Sequence, residues 1–238
     1  MAHRTKRRLK RLLERLFHVS IYGTRVHGRE DCADIASCGA PMTMILDVGA
    51  NVGQSARKFR EAFPEATIHC FEPVRRVFDE LVAHLRQDSR TVCHRIAMGS
   101  QAGTATIYLT PHSTTSSMIA PDDSVGSETV PVTTLSDFAE REAIAKVDLL
   151  KVDAEGFDLE VLRGAESLLR SERIKFVLVE VGFTPGDQRH VLFDEVRSLL
   201  APFGFKLFGI YDQQVEWSGP RFIRFANVCF GHTSVFAP

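Results

Sequence analysis

Short apolar runs along this chain alternate with segments in which apolar residues recur at helical spacing. The first run covers residues 44–48 and precedes an amphipathic segment that begins near Gln54. The further predicted strands are 66–71, 91–96, 147–152 and 176–181, and the further predicted helices are 74–86, 137–143 (with Ser136 as its N-cap), 157–164 and 191–200. Uninterrupted apolar strands that alternate with helices are typical of a parallel sheet covered on both faces. The pattern therefore predicts an α/β fold.

One stretch in the middle of the chain interrupts this alternation. Residues 103–109 and 129–135 have the pattern of two antiparallel strands. Between them lies a polar loop, residues 111–128, which is too long to be a simple turn. Because long loops often cover an active site, Ser116 and Ser117 are predicted contacts to a cofactor or substrate.

The end of the first predicted strand carries the first candidate chemistry. Asp47 ends the strand, and Gly49 and Gly53 lie in the turn that leads into the helix. Glycines allow a backbone to pass close to a ligand, because they have no Cβ. Their spacing differs from the G-x-G-x-x-G of dinucleotide sites, and Asp47 would repel a pyrophosphate but suits the amino group of a zwitterion. S-adenosylmethionine therefore fits this turn better than NAD(P). An NAD(P)-dependent oxidoreductase is the alternative, and glycines that serve packing alone are another.

A second acid supports a nucleotide site. Glu72 and Pro73 directly follow the second predicted strand. In nucleotide-binding α/β units a carboxylate at this place accepts hydrogen bonds from the two ribose hydroxyls. Glu72 is therefore the predicted ribose ligand.

The segment VDLLKVDAEG, residues 147–156, carries the third group of candidates. Asp153 and Glu155 follow a buried strand, and charged groups in such places are costly unless they are paired or used. Lys151, inside the strand, needs an acidic partner such as Asp153, Glu155 or Glu180. Two alternatives stay open: the acids are catalytic, or they only neutralise Lys151 and cap the next helix.

These segments together resemble the FkbM family of S-adenosylmethionine-dependent methyltransferases. The resemblance rests on residues 44–53, Glu72-Pro73, 115–117, 151–165 and 177–181, and it extends over residues 44–230. K-x-D-x-E-G at 151–156 is its specific part, since the glycine turn alone would match any class I methyltransferase. The resemblance implies a Rossmann-like, mostly parallel seven-stranded sheet with helices on both faces and an antiparallel last strand. Strands at 206–210 and 222–230 would form the closing pair.

The resemblance also implies an activity, usually O-methylation of a hydroxyl on a sugar, glycan or polyketide. The cofactor-binding set predicted on this basis is Asp47, Gly49, Ala50, Asn51, Gly53, Gln54, Glu72, Pro73, Ala97, Ser116, Ser117 and Asp153. Asp153, with Glu155 or Glu180, is the predicted general base, and Lys151 completes the catalytic set. In a variant of this mechanism, Asp153 and Glu180 hold Mg²⁺, which lowers the pKa of the acceptor hydroxyl.

The N-terminal segment differs in character from the rest of the chain. Seven basic residues against Glu14 occupy residues 4–17, with leucines on one helical face. Such a helix packs on its own domain or lies on an anionic membrane, and a non-catalytic docking protein is therefore a further alternative. We predict two segments: residues 1–43, with this helix and a lead-in helix at 30–37, and the methyltransferase domain at residues 44–238.

Composition narrows the remaining classes. With 44% hydrophobic and 25% charged residues, the chain is typical of a soluble globular protein, and a net charge of −1 gives no case for nucleic-acid binding. Five scattered cysteines without metal-ligand spacing indicate reduced thiols and a cytoplasmic location. The expected partner is a small-molecule or glycan acceptor, and a homo-oligomer is left open.

Overall fold

A computed structural model of the chain describes residues 27–109, 126–185, 190–216 and 221–236. The predicted basic helix at residues 4–17 lies outside these ranges, as do Ser116 and Ser117.

The strands of the described part are β1 (Met44–Val48), β2 (Thr67–Phe71), β3 (Thr91–His94), β4 (Ala97–Met98), β5 (Gly103–Leu109), β6 (Gly126–Thr133), β7 (Val147–Val152), β8 (Ile174–Gly182), β9 (Val191–Leu192), β10 (Phe205–Val215) and β11 (Ile223–His232). Its α-helices are α1 (Asp31–Ser37), α2 (Gln54–Ala62), α3 (Arg75–Leu85), α4 (Leu135–Arg141), α5 (Asp158–Gly164), α6 (Glu166–Arg170) and α7 (Phe193–Leu200). Short 3₁₀ turns occupy Ala201–Phe203 and Thr233–Phe236.

The central sheet has the strand order β10-β11-β8-β7-β1-β2-β3, and the two-residue β9 pairs with β8 beside this path. β3, β2, β1, β7 and β8 are mutually parallel, whereas β11 is antiparallel to both β8 and β10. The predicted fold, a mostly parallel seven-stranded sheet with an antiparallel last strand, is confirmed. A second, smaller sheet has the strand order β4-β6-β5.

Helices cover both faces of the central sheet, and the alternation of side chains along each strand forms two cores. Leu46 and Leu150 belong to one core, which α4, α5, α6 and α7 complete. Ile45 and Leu149 belong to the other, which α1, α2 and α3 complete. Each fully buried aliphatic side chain contributes roughly 1.5–3 kcal/mol. The strand ends, where the candidate acids lie, are thus held by a rigid interior.

α1 closes the second core. Cys32 and Ile35 of this lead-in helix pack with Ile45 of β1, so the lead-in helix is fixed to the sheet. Asp34 accepts hydrogen bonds from the Gly28 N–H at 2.6 Å and the Tyr211 hydroxyl at 3.0 Å, which joins the helix to the edge strand β10. The domain boundary at residue 43 stays a prediction.

Four predicted elements were wrong in detail. The strand expected at 129–135 is β6, which covers 126–133, so residues 126–128, expected in the polar loop, belong to a strand. The strand expected at 91–96 ends at His94. The next strand, β4, pairs with β6 in the smaller sheet. The helix expected at 137–143 begins at Leu135, because the Thr134 hydroxyl, and not that of Ser136, accepts the Asp137 N–H at 2.9 Å. The helix expected from residue 191 begins at Phe193, because Val191 and Leu192 form β9.

The five cysteines all lie in the described ranges and are free thiols. Among the described helices, none has the length and apolarity needed to span a bilayer.

Candidate active site

A pocket of about 750 Å³ opens at the carboxyl ends of β1, β2 and β7. Its walls consist of Val48, Gly49, Asn51, Phe71, Glu72, Pro73, Val74, Ile96, Ala97, Met98, Ile107, Asp153, Ala154 and Glu155. Ligands of open α/β sheets bind at this edge, where the strand order reverses. Seven of the predicted site residues lie in the wall: Gly49, Asn51, Glu72, Pro73, Ala97, Asp153 and Glu155.

The glycine turn after β1 brings two strand ends into contact. The N–H groups of Gly49 and Ala50 both donate to the Phe71 carbonyl at 3.1 Å, which ties the turn to the end of β2. Gly49 has φ +72°, and a Cβ there would lie 1.8 Å from the Asp153 carbonyl oxygen. Glycine is therefore required both by the backbone conformation and by the closeness of β7.

The other residues of the turn have different positions. Asn51 lines the pocket with φ +49°, and its side-chain oxygen accepts the Val52 N–H at 2.7 Å. Gly53 is buried with φ +91° at the start of α2, next to Leu81. Ala50 is buried outside the pocket wall, and Gln54 is an exposed first residue of α2.

Glu72 presents a carboxylate to the pocket from the end of β2. Only 8% of the residue is exposed, and one carboxylate oxygen accepts the Val74 N–H at 2.9 Å. Burial raises the pKa of Glu72 to about 7, although hydrogen bonds from the Val74 and Asn51 backbones oppose this shift. A ligand that donates hydrogen bonds to this carboxylate would stabilise its ionised form.

Behind the pocket wall, Lys151 joins two of the predicted acids. Its Nζ lies 3.3 Å from Asp47 Oδ1 and 3.3 Å from Asp153 Oδ2, and it donates to the Gly49 carbonyl at 2.8 Å. Burial lowers the pKa of Lys151, but the charges of Asp153 and Asp47 outweigh this effect and raise it overall. Lys151 therefore stays charged and fixes both strand ends.

Asp47 is 0% exposed and lies behind the wall, not in it. Burial raises its pKa, against the opposing charge of Lys151. Among the described residues, no group meets the geometry of a hydrogen bond to either carboxylate oxygen, and the contact between Asp47 Oδ1 and Lys151 Nζ at 3.3 Å is an ion pair. Direct binding of the donor's amino group by Asp47 stays a prediction.

The turn after β7 has a strained backbone that a buried acid holds. Glu155, in the pocket wall, has φ +49°, and Gly156 has φ +92°. Asp158 accepts the N–H groups of Ala154 at 2.9 Å and Gly156 at 3.2 Å. Burial raises the pKa of Asp158 to about 6, although these N–H groups oppose the shift. Sequence reasoning missed Asp158, although an acid at the start of a helix after a glycine is a recognisable capping pattern.

Glu180 is not part of the pocket wall. Its Oε2 lies 3.0 Å from Nε2 of His190, a residue that no sequence pattern singled out.

The described side chains do not form the predicted Mg²⁺ site. Within the described ranges, the group of acids and thiols close enough to share an ion is Glu30, Asp31 and Cys32, at the start of α1. There the Lys58 ammonium lies 2.6 Å from Asp31 Oδ1. Asp153 faces Lys151 and Glu180 faces His190, so neither acid belongs to a set of ligands that fits a cation.

One wall of the pocket is apolar, and sequence reasoning did not find most of it. Ile96 lies just before β4, Met98 lies in β4, and Ile107 comes from β5 of the smaller sheet. A flat purine ring fits such a wall, while the Glu72 carboxylate suits the adjoining ribose hydroxyls. The residues present therefore fit an adenosine unit. The smaller sheet supplies Ile107, and its placement over the central sheet is a tertiary feature that local patterns do not show.

The strand order, the glycine turn after β1 and the acid after β2 are together those of a class I, Rossmann-like methyltransferase. A model of the methyltransferase FkbM domain matches residues 47–207. The chain belongs to the FkbM family of S-adenosylmethionine-dependent methyltransferases.

Individual relatives agree with this assignment. The methyltransferase sdnD of Sordaria araneosa is 27% identical over 226 residues, covering 81% of this chain and 83% of its own. A hexuronic acid methyltransferase, AglP of Haloferax volcanii, is 29% identical over 152 residues, covering 63% of this chain and 61% of its own. An rRNA methylase of Streptococcus thermophilus superposes with a TM-score of 0.50 at 8% identity, covering 85% of this chain and 93% of that one, and shows the fold alone.

Proposed function

We propose that this methyltransferase methylates a hydroxyl oxygen of a sugar, glycan or polyketide-type small molecule. The observation that carries the proposal is the position of Asp153, a carboxylate in the pocket wall that Lys151 holds at 3.3 Å. A fixed carboxylate beside the donor pocket suits an acceptor that must lose a proton as it reacts.

S-adenosylmethionine supplies an electrophilic methyl group on a sulfonium ion and leaves as S-adenosylhomocysteine. Glu72 would hold its ribose, and the backbone of Gly49, which lines the same pocket, would lie beside it. Asp153 would accept the hydrogen bond of the acceptor hydroxyl and then its proton, and orientation of this kind contributes about 7–11 kcal/mol. Lys151 would keep Asp153 in place through this step.

The acceptor class follows from the charges along this edge. AglP is described as a hexuronic acid methyltransferase, so a carboxylate acceptor is the competing possibility. Asp153 and Glu155 in the wall place negative charge beside the acceptor, and Lys151, the cation that pairs with Asp153, also pairs with Asp47. A neutral hydroxyl therefore suits this edge better than a second carboxylate.

Replacement of Asp153 tests the proposal. Asp153→Asn should lower turnover by at least about 100-fold, because the amide cannot accept a proton. Affinity for S-adenosylhomocysteine, measured by calorimetry, should change by less than about threefold, since the donor contacts remain. The assay offers the enzyme neutral glycosides and uronates and identifies the methylated product by mass spectrometry.

Asp79→Asn, an exposed acid on α3, is the matched control and should behave like the wild type. Full activity in Asp153→Asn would remove Asp153 from the mechanism. A methyl ester as the main product would overturn the choice of acceptor.

A further inference from the structure

β9 continues the line of β7 along one edge of β8. β7 pairs with the first part of β8, ending at Val152 opposite Val179, and β9 begins where Val191 pairs with Val181. β11 occupies the other edge of β8 from Phe176 to Gly182, so β9 must lie on the edge of β7. Glu180 lies on β8 at the junction between these two pairings. Asp153 directly follows β7, and His190 directly precedes β9.

The side chains at this junction share a face of the sheet. Asp153 is two residues beyond Lys151, and Glu180 two residues beyond Leu178, the register partner of Lys151. Asn227 of β11 pairs directly with Glu180, which places their side chains on the same face at contact distance. By this register, Asp153, Glu180 and Asn227 follow one another along one face of the sheet, starting at the donor pocket. The Nδ2 of Asn227 donates to Asp212 Oδ2 on β10 at 3.1 Å, which fixes the orientation of its amide.

His190 is packed into this row. Its side chain is 9% exposed, and its ring stacks on Phe225 with centroids 4.3 Å apart and planes 13° apart. Gly182 leaves the space for it, since a Cβ there would lie 3.2 Å from the His190 Cβ. The ring is thus fixed with Nε2 at 3.0 Å from Glu180 Oε2. A fixed donor of this kind holds the Glu180 carboxylate in one orientation.

We propose that Asp153, Glu180 and Asn227 form the acceptor subsite, which takes a neutral polyhydroxylated ring, and that His190 is a positioning residue that holds Glu180. The proposal rests on the proposed function and names the residues that receive the acceptor. Glu180 and Asn227 bind hydroxyls next to the one that reacts, while Asp153 receives the reacting hydroxyl. A uronate would add a third carboxylate beside Asp153 and Glu180, and so binds less well.

The test measures acceptor binding separately from donor binding. The full chain is saturated with S-adenosylhomocysteine, and methyl α-D-glucopyranoside is titrated as the probe by saturation-transfer NMR. Calorimetry with S-adenosylhomocysteine is repeated for every variant. We expect saturable glycoside binding to the wild type, and at least tenfold weaker binding to Glu180→Gln and His190→Ala. Affinity for S-adenosylhomocysteine stays within twofold in both variants.

Two further variants separate positioning from general stability. His190→Gln should recover part of the glycoside affinity, because its amide N–H can still donate to Glu180. His232→Gln changes a buried histidine at the opposite end of β11 and should bind the glycoside like the wild type. The corresponding uronate, methyl α-D-glucopyranosiduronate, should bind the wild type several-fold more weakly than the neutral glycoside.

Equal glycoside affinity in the wild type, Glu180→Gln and His190→Ala would overturn the subsite. So would a wild type that binds S-adenosylhomocysteine but not the glycoside, or one that prefers the uronate. Failure to bind S-adenosylhomocysteine at all is a different result, and it would instead refute the proposed function.

Discussion

At the scale of single residues, Gly49 has two separate reasons to be glycine. Its φ of +72° disfavours any side chain, and the Asp153 carbonyl occupies the place of a Cβ. Gly39 has a similar φ of +70° but open space around it. The two positions therefore differ only in the close approach of a second strand end.

Gly49→Ala should consequently cost much more than Gly39→Ala. In the Gly39 variant, the alanine must adopt a left-handed backbone conformation, which lowers the unfolding free energy by about 1–2 kcal/mol. The Gly49 variant must in addition separate β1 from β7, and should lose S-adenosylhomocysteine binding by at least about tenfold. Urea denaturation and calorimetry on both variants check this, and equal losses would contradict the role of the close contact.

Glu72 gives cofactor affinity a pH dependence. Without a ligand, the pKa of Glu72 is about 7, and its ionised carboxylate can accept charge-assisted hydrogen bonds from ribose. Binding therefore favours loss of the proton from Glu72. Affinity for S-adenosylhomocysteine should rise from pH 6 to pH 7.5, by up to about tenfold per pH unit below the pKa, and then level off. Calorimetry across this range should show a weaker, flat profile for Glu72→Gln. The same slope in both proteins would exclude Glu72 as its source.

The chemistry of single residues was predictable where it follows strand ends. Glu72 and Asp153 could be selected because polar groups after buried strands meet at one edge of a parallel sheet. Lys151 was expected to need an acidic partner, and Asp153 is one, but its second partner Asp47 comes from β1. His190 could not be found, because its role depends on β9 pairing beside β7.

At the scale of elements, the turn from β7 into α5 depends on Asp158. Asp158→Ala removes the acceptor for the Ala154 and Gly156 N–H groups and should cost about 1–3 kcal/mol. Because Glu155 and Gly156 hold unusual backbone conformations, amide exchange should accelerate first at 153–157. Hydrogen-exchange mass spectrometry and turnover measure both effects.

Asp137→Ala is the matched control, since Asp137 also lies in the first turn of a helix but is exposed. This variant should stay within about 0.5 kcal/mol of the wild type. An equal loss in both variants would mean that Asp158 acts only as a general helix-end charge.

Element boundaries could be predicted where the pattern is strong, and less well where side chains compete. β1 and β7 were located as the pattern indicated, because their runs are mainly apolar, with Asp47, Asp148 and Lys151 as the exceptions. The start of α4 was misplaced because two adjacent candidates, Thr134 and Ser136, can both cap a helix. Only the fold decides between them: the Ser136 hydroxyl donates to the Gly164 carbonyl at 2.8 Å.

At the scale of the whole molecule, a pair of histidines, one buried and one half-buried, couples stability to pH. His69 Nδ1 and His94 Nε2 lie 2.9 Å apart in contact with Phe138 of α4. Burial, and then the neighbouring His69, lowers the pKa of His94 to about 4, and burial also lowers that of His69. The unfolded chain therefore takes up these protons more readily than the folded one below pH 6.5.

Because folding lowers the pKa of both histidines, the pair stabilises the fold above about pH 6.5. This stabilisation is lost as the pH falls towards 4. Between pH 7 and pH 5, the wild type should lose at least about 1 kcal/mol more unfolding free energy than the variant His69→Gln/His94→Gln. The raised pKa values of Glu72 and Asp158 act in the opposite direction, so only the difference between the two proteins isolates the pair. Urea denaturation at both pH values measures it.

The exposed His84 provides the control, because His84→Gln should keep the wild-type loss between the two pH values. Identical pH dependence in the double variant would show that the pair does not sense acidity. The parallel sheet that contains β2 and β3 was predictable, but the contact between these strands and α4 that covers both rings was not.

The location of β8, β9 and β11 has a consequence for how relatives of this enzyme diverge. The residues that line the donor pocket come from other strands. Substitutions at 180–192 and 223–227 should therefore leave the affinity for the methyl donor unchanged. With the proposed acceptor subsite, a change of acceptor would act through these two short stretches while Asp153 is retained. Chimaeras that swap these stretches between two relatives should inherit the donor affinity of the recipient and the acceptor choice of the source.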